Sequence, residues 1–291
     1  MSRRTIALLG AGRLAHSFAS ALMDSGVKIN CIYDRDADKA AKFAKQFSVS
    51  HHVSQLEEIP TLTTRFFVAV SDSALPAIVI ELQKQKFPAI EKYFIHFSGA
   101  EDSRVFGGLK KRGVYTGSLH LLQTFPTTDI IPLKGCGAAL ESGSAKCLTE
   151  MSAIAKKLKL NPFTIKTENK SIYHIMGVIL SNFLTGNLAA AEEIFTLLGI
   201  KNISFADLAL PIIIQTVNNA FGKGVAHSLS GPIERNDAAV IEKHLKALKG
   251  NKNLNHLLQF YIEQSKQLVR TAAAKNPGKD YNSVDEVLTQ L

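Results

Sequence analysis

"ALLGAGRLAHSF", residues 7–18, holds an apolar run that stops at Gly10 and resumes beyond Gly12 with helical spacing. Two readings fit it. In one, a buried strand ends at Leu9, the chain turns through Gly10-Ala11-Gly12, and a helix opening with Arg13 and Leu14 begins beneath a pyrophosphate. In the other, a strand-to-helix connection merely needs small residues. The G-x-G-x-x-A spacing gives each small residue a distinct role. Gly10 permits the tight turn, Gly12 lets a phosphate approach the backbone, and Ala15 lets the helix pack on the strand. Amides at the helix start, with its dipole, then favour negative charge. The context decides for the first reading, because Asp34 follows 24 residues after Gly10, at the end of a second β-rich run.

Working outward, short β-rich runs alternate with helical stretches from residue 5 to about 100: "TIALLG", "KINCIYD", "RFFVAVSD" and "KYFIHFSGA" are the strands. Such alternation predicts a Rossmann-type, doubly wound, mostly parallel α/β sheet, because a parallel strand needs a crossover long enough to return it to the same edge. The strands are nearly all apolar, as strands covered on both faces must be. Each later strand ends in a polar or small-residue stretch: Asp34-Arg35-Asp36, Val70-Ser71-Asp72 and Ser98-Gly99-Ala100. Ligands of open α/β sheets lie beyond these carboxyl ends, so Asp34, Arg35, Val70, Ser71, Ser98 and Gly99 join Gly10, Gly12, Arg13 and Leu14 as candidate cofactor residues. Asp72 has a second reading, as the cap of a helix beginning near Ala74.

Asp34 and Arg35 bear on which dinucleotide binds. A carboxylate accepts from a ribose 2′-hydroxyl, whereas a 2′-phosphate needs a cation, and unit charges 4 Å apart interact by roughly 4 kcal/mol at an effective dielectric of 20. Arg35 and Arg13 favour NADP, with NAD left open, since sequence does not say which side chain points inward.

"GCGAALESGS" and "FTIKT" read as the far edge of the first domain, assigned to residues 1–167. Beyond it, over 168–291, long helical patterns run without a competing strand signal, and an all-α domain is expected. His120, in "GSLHLLQTF", sits in an apolar setting near the mouth of the expected site, as an acid–base group or a core histidine. In "YHIMGVILSNFLTGNL" a continuous α-helix would put His174 and Ser181 about 20° apart and Asn182 about 80° away. Such a polar stripe on an apolar helix must face water, a partner or a cavity. "GPIERND" at 231–237 has a local account, with Gly231-Pro232 ending one helix and Asp237 capping the next.

Composition narrows the rest. Apolar residues make up 46% and charged residues 20% of 291 residues, with no low-complexity block, which describes a folded chain of about two domains. The 34 Lys and Arg against 25 Asp and Glu give +9. These cations are scattered through helical segments, so an anionic cofactor is expected rather than nucleic acid. Cys31, Cys136 and Cys147 lack metal-ligand spacing and are expected as free thiols, with no metal. "MSRRTIALLGAGR" reads as a first strand rather than a signal peptide. No run of about 18 uncharged apolar residues occurs, so a cytoplasmic protein without a membrane span is expected.

Taken in order, "GAGRLA", "VAVSD", "FIHFSGA", "SLHLLQTF", "ALESG", "YHIMGVILSN" and "GPIERNDAAVIEKHL" resemble the bacterial family that pairs a Rossmann-like NADP-binding domain with the C-terminal domain of unknown function 2520. The likeness covers nearly the whole chain. That family is similar to pyrroline-5-carboxylate reductase, ketopantoate reductase and the β-hydroxyacid dehydrogenases. The resemblance implies an NADP-dependent oxidoreductase, a helical domain that builds a homodimer, and a small-molecule substrate held between the domains. Three positions depart from these relatives. Ala15 stands at the third fingerprint place, Leu121 replaces the usual proline after the "SLH" histidine, and Val178 occupies the place of the β-hydroxyacid dehydrogenase lysine four residues before Asn182.

The expectation is hydride transfer between NADP(H) and a small carbonyl or imine, with His174 as proton donor, His120 as second candidate and Asn182 orienting the substrate. Two other classes stand beside it: a dinucleotide-binding sensor or scaffold without catalysis, which Val178 favours, and a nucleic-acid binder, which no motif supports.

Overall fold

The computed structural model describes residues 5–88, 91–110 and 113–289. Eight strands form one sheet: β1 (Ile6–Leu9), β2 (Cys31–Tyr33), β3 (His51–Val53), β4 (Arg65–Val68), β5 (Tyr93–His96), β6 (Tyr115–Leu121), β7 (Gly137–Glu141) and β8 (Asn161–Thr164). Their order is β3-β2-β1-β4-β5-β6-β7-β8, every pair parallel except β6 with β7. The first six follow the doubly wound order 3-2-1-4-5-6, whose direction of winding reverses between β1 and β4. That reversal leaves a crevice at the carboxyl ends of these two strands. The expected fold is therefore the observed one, and β3, a polar and largely exposed edge strand, is an addition that apolar patterning does not reveal.

Alternation along the strands sorts the core onto two faces. Ile6, Leu8 and Phe67 join Phe18 of α1 (Arg13–Asp24), Phe43 of α2 (Ala37–Phe47) and Met151 of α5 (Ala145–Lys157) in one buried cluster. Ala7, Leu9, Phe66 and Phe94 join Leu75 and Leu82 of α3 (Leu75–Lys84) and Leu109 of the short α4 (Gly107–Lys110) in the other. Full burial of one such side chain contributes about 1.5–3 kcal/mol, and a register slip of one residue would send each set to the opposite face and break the packing of both clusters.

The chain divides into two compact units, Met1–Asn182 and Phe183–Leu291. The first thus takes in α6 (Lys170–Val178), beyond residue 167, and closes within a π-helical segment, Ile179–Phe183. The second holds α7 (Leu184–Leu197), α8 (Phe205–Lys223), the short α9 (Val225–Ser228) and α10 (Pro232–Arg235), then α11 (Ala238–Gly250), α12 (Leu257–Lys275) and α13 (Asn282–Thr289). No strand occurs among its described residues. Ile233, Ile241, Leu245, Ile262, Val269 and Tyr281 make its core, and Asp237 caps α11 through the Val240 N–H.

α7 and α8 contribute nothing to that core, since neither has a buried residue. On α8, Leu208, Leu210, Ile212, Ile214, Val217 and Phe221 are all exposed, Phe221 by 83%. A helix apolar on most of its circumference requires cover. The stretch Thr167–Leu197 reaches a mean hydropathy of 1.2, the lower bound for a membrane span, with none of that window buried. Its first turn is nonetheless anchored in the α/β unit, where Lys170 is 2% exposed.

Candidate active site

The first pocket lies at the winding reversal. β1 delivers the chain to Gly10, whose φ of +104° suits glycine, and a Cβ there would stand 2.7 Å from the Ala69 carbonyl oxygen. At Gly12 the nearest atom to an added Cβ is 3.7 Å away, ordinary contact, so the protein itself does not require glycine there. Gly12 thus leaves open space over the backbone, which a pyrophosphate could approach. Gly12 is the N-cap of α1, with no side chain capping the helix and no acidic residue in the first turn. Its leading amides stay free for an anion.

Asp34 acts on this turn. One carboxylate oxygen accepts from the Ala11 N–H at 2.9 Å, and the other from the Asp36 N–H at 3.0 Å, so the side chain braces the glycine-rich loop. Arg35 and Lys39 are exposed cations beside it. Together with Gly10, Gly12, Asp34, Val70 and Ser71 they line a cavity of about 490 Å³. These residues fit a dinucleotide carrying an extra phosphate: a turn with no room for Cβ at Gly10, open space at Gly12, free amides, and two cations near a carboxylate already occupied by main-chain donors. Lys39 was not among the expected residues, because a lysine in the first turn of a helix reads as ordinary surface.

Arg13 and Leu14 open α1 directly after this turn and keep their amides at the helix start, while their side chains turn away from the lining of this cavity. Arg13 Nη1 donates to the Pro126 carbonyl at 3.2 Å, and Leu14 packs against the core cluster beneath α1. Asp72 does not cap α3 with its side chain: the N-cap is Ala74, and Asp72 offers only its backbone carbonyl to the Leu75 N–H. The turn Ser71–Ala74 already satisfies these first amides through backbone carbonyls.

Ser98 and Gly99, at the end of β5, belong to a second group. His120 lies in the part of β6 paired with β7, opposite Ala139, and its ring and that of His174 of α6 both crowd the position a side chain on Gly99 would take. A Cβ on Gly99 would fall 2.5 Å from the His174 ring and 2.8 Å from His120 Nε2. The two imidazoles meet edge to face with centroids 6.0 Å apart. His120, His174, Ser181 and Asn182 all line a cavity of about 570 Å³, with Gln123, Thr124 and Val178. The structure thus brings the three expected chemical residues together, although not by a continuous helical stripe: the π segment at Ile179–Phe183 interrupts the 100° spacing beyond Val178.

Burial sets the charge state here. His120 is pushed down to about 4, first by loss of solvent and then by the positive charge of Lys170 and by His174. Its Nδ1 shares a hydrogen bond with the Tyr173 hydroxyl at 2.8 Å, and burial raises that phenol to about 12. His96, fully buried, is pushed down to about 3 by desolvation, with Lys170 adding to it, and its Nδ1 accepts from the Ser98 N–H. Tyr173, His96 and Lys170 went unnoticed in the sequence.

Residues 5–89 match the family described as coenzyme F420-dependent NADP oxidoreductase, and residues 136–268 match the domain of unknown function 2520. The chain joins a Rossmann-like NADP oxidoreductase domain to a domain of unknown function 2520. Among solved structures, a Bacteroides fragilis protein designated an NADP oxidoreductase is 24% identical, with a TM-score of 0.76 over 92% of this chain and 99% of that one. A Thermotoga maritima protein is also 24% identical, with a TM-score of 0.72 over 93% and 99%. An Aspergillus terreus reductive aminase, solved with NADPH and ethyl-5-oxohexanoate, is 14% identical, with a TM-score of 0.66 over 97% and 98%. Identities this low show a shared fold. No curated protein matches the chain. The family match makes NADP the cofactor of this chain.

The neutral imidazoles have a consequence for stability. A histidine free in the unfolded chain titrates near 6.5, whereas folded His120 and His96 take a proton only at about 4 and about 3. Between pH 6.5 and 4 the unfolded state binds protons the folded state refuses, so stability falls as pH falls, by up to about 1.4 kcal/mol per pH unit for each histidine. Urea midpoints measured at intervals from pH 7 to 4.5 should show this slope, and His120→Gln should remove one proton's share of it. A slope unaltered by that substitution would show that His120 takes up its proton in the folded protein as readily as in the unfolded chain.

Proposed function

We propose that this chain transfers hydride between NADP(H) and a small carbonyl or imine compound held in the pocket of His120, His174, Ser181 and Asn182. The convergence of the two histidines beside Gly99, with Asn182 lining the same cavity, at the carboxyl edge of a sheet whose other crevice suits a dinucleotide, carries the reading. When bound, NADPH supplies the hydride. Amides of the Gly10–Gly12 turn and the start of α1 hold its pyrophosphate, and Arg35 with Lys39 attracts the 2′-phosphate.

Reduction of a carbonyl or imine also requires a proton for the new oxygen or nitrogen. His120 is uncharged over the physiological range and is a poor donor. His174, half-buried at the pocket wall, supplies that proton, and Asn182 orients the substrate by its amide. Val178, which the sequence resemblance matches to the lysine of the β-hydroxyacid dehydrogenases, lines the same pocket, so this site works without that group. Three free cysteines fit a reducing compartment, and we place the reaction in the cytoplasm.

A second copy of this chain is the proposed partner for the exposed apolar surface of α8. Obligate homodimer interfaces are more hydrophobic than ordinary surface, as this helix is.

Titration followed by nicotinamide fluorescence should show saturable binding of NADPH at least tenfold tighter than NADH, and Arg35→Ala should erase most of that difference. Equal affinities would separate Arg35 from the 2′-phosphate, and binding of neither would favour a scaffold. In a screen of ketones and cyclic imines, His174→Ala should lower turnover about 100-fold or more while NADPH affinity stays within about threefold; unchanged turnover would remove His174 from the chemistry. Sedimentation velocity should give a particle of twice the chain mass, converted to one chain mass by Ile212→Glu with Phe221→Glu. A wild-type particle of one chain mass would refute the homodimer.

A further inference from the structure

Lys170 opens α6, and its charged end lies inside the α/β unit, where the residue is 2% exposed. Its Nζ donates to the Ser98 carbonyl oxygen at 2.7 Å and to Ser118 Oγ, while Ser118 Oγ itself donates to the same carbonyl at 3.2 Å. The rest of Ser98 is equally committed. Its N–H reaches His96 Nδ1 at 3.2 Å, and its Oγ accepts from the Ala100 and Glu101 amides at 3.2 and 2.8 Å. Next in the chain is Gly99, with the rings of His120 and His174 closed upon it.

A buried ammonium is costly unless it is paired and hydrogen-bonded. The nearest compensation is Glu141 of β7, a fully buried carboxylate that accepts from the Ser103 N–H, Ser103 Oγ and Thr167 Oγ1. Asp102, Asp72 and Glu101 add attraction from the loops around it, whereas the imidazoles of His96 and His120 face it on strands β5 and β6. No solvated surface lysine is held by two strands in this way.

We propose that Lys170 is the positioning residue of this pocket: its ammonium clamps the Ser98–Gly99 peptide and thereby sets where the His120 and His174 rings stand. The clamp is a property of the fold, and only its effect on turnover rests on the proposed reductase reading. Its charge has a second effect. A cation beside His120 opposes a second positive charge there, and burial brings Lys170 itself down only to about 8, so it remains largely protonated at neutral pH. His120 then serves as an uncharged wall of the pocket, leaving proton donation to His174.

The test is a pH titration of the NADP-free full chain by side-chain and amide ¹⁵N NMR, with His120→Gln and His174→Gln samples assigning the imidazoles. In the wild type, His120 should keep its neutral pattern to below about pH 5, and titration in the ordinary histidine range would overturn the proposal. In Lys170→Met, which keeps the bulk and removes the charge, the His120 midpoint should rise by roughly one pH unit and the Gly99 amide signal should shift. A folded Lys170→Met protein with both signals unmoved would overturn it. Should that variant fail to fold, Ser118→Ala removes one of the two acceptors and keeps the charge; it should move the Gly99 amide, and an unmoved amide would likewise overturn the clamp. Given a substrate, Lys170→Met should lower kcat more than it raises KM. Failure of the wild type to bind NADPH would remove the reductase reading while leaving the NMR result to decide the clamp.

Discussion

The ends of β1 and β4 run level, and the carbonyl of Ala69 stands 2.7 Å from where a side chain on residue 10 would begin. This single close approach governs the dinucleotide half of the molecule. It confines residue 10 to glycine with positive φ, and the sharp turn that results lets α1 begin three residues later. That turn presents the Ala11 amide to Asp34, so the second strand braces the first loop. The crevice at the winding reversal is what remains between the two strand ends, and its polarity follows from main-chain amides as much as from side chains.

A comparable constraint operates at the end of β5. Every hydrogen-bonding group of Ser98 is engaged, and Gly99 has no space for a side chain. Rigid backbone of this kind is what chemistry between a cofactor and a small molecule needs, since reacting atoms must be held within a few tenths of an ångström. The electrostatics agree with the geometry. One ammonium and one carboxylate, Lys170 and Glu141, are buried behind the pocket, and burial keeps the imidazoles of His120 and His96 uncharged.

Much of this was legible in the residues. Strands buried on both faces read as apolar runs, so "IALL", "RFFV" and "YFIH" declared themselves, and the glycine fingerprint located the turn. The edge strand "HHV" did not, because its polar, exposed residues carry no alternation. Asp72 misled for a different reason: aspartate before a helix is a common cap, but here backbone carbonyls of a preceding turn had already met the same donors. His174 and Asn182 do meet at one pocket, yet the helical-wheel argument behind that expectation fails at the π segment, whose extra residue per turn no local pattern announced.

Sequence by itself determined the doubly wound α/β class, the helical character of the second half, the turn at Gly10 and the residue types available for chemistry, because periodicity and glycine stereochemistry are local properties. Direction and depth were decided only by the tertiary structure. Asp34 could face a ribose or its own loop, and strand pairing turned it to the loop. Lys170 is one lysine among many in the sequence, and what distinguishes it is burial between the ends of β5 and β6, contributed by residues 52 and 72 positions away. Long-range packing of that kind sets the local dielectric, and the dielectric decides whether a titratable side chain is surface decoration or part of a site.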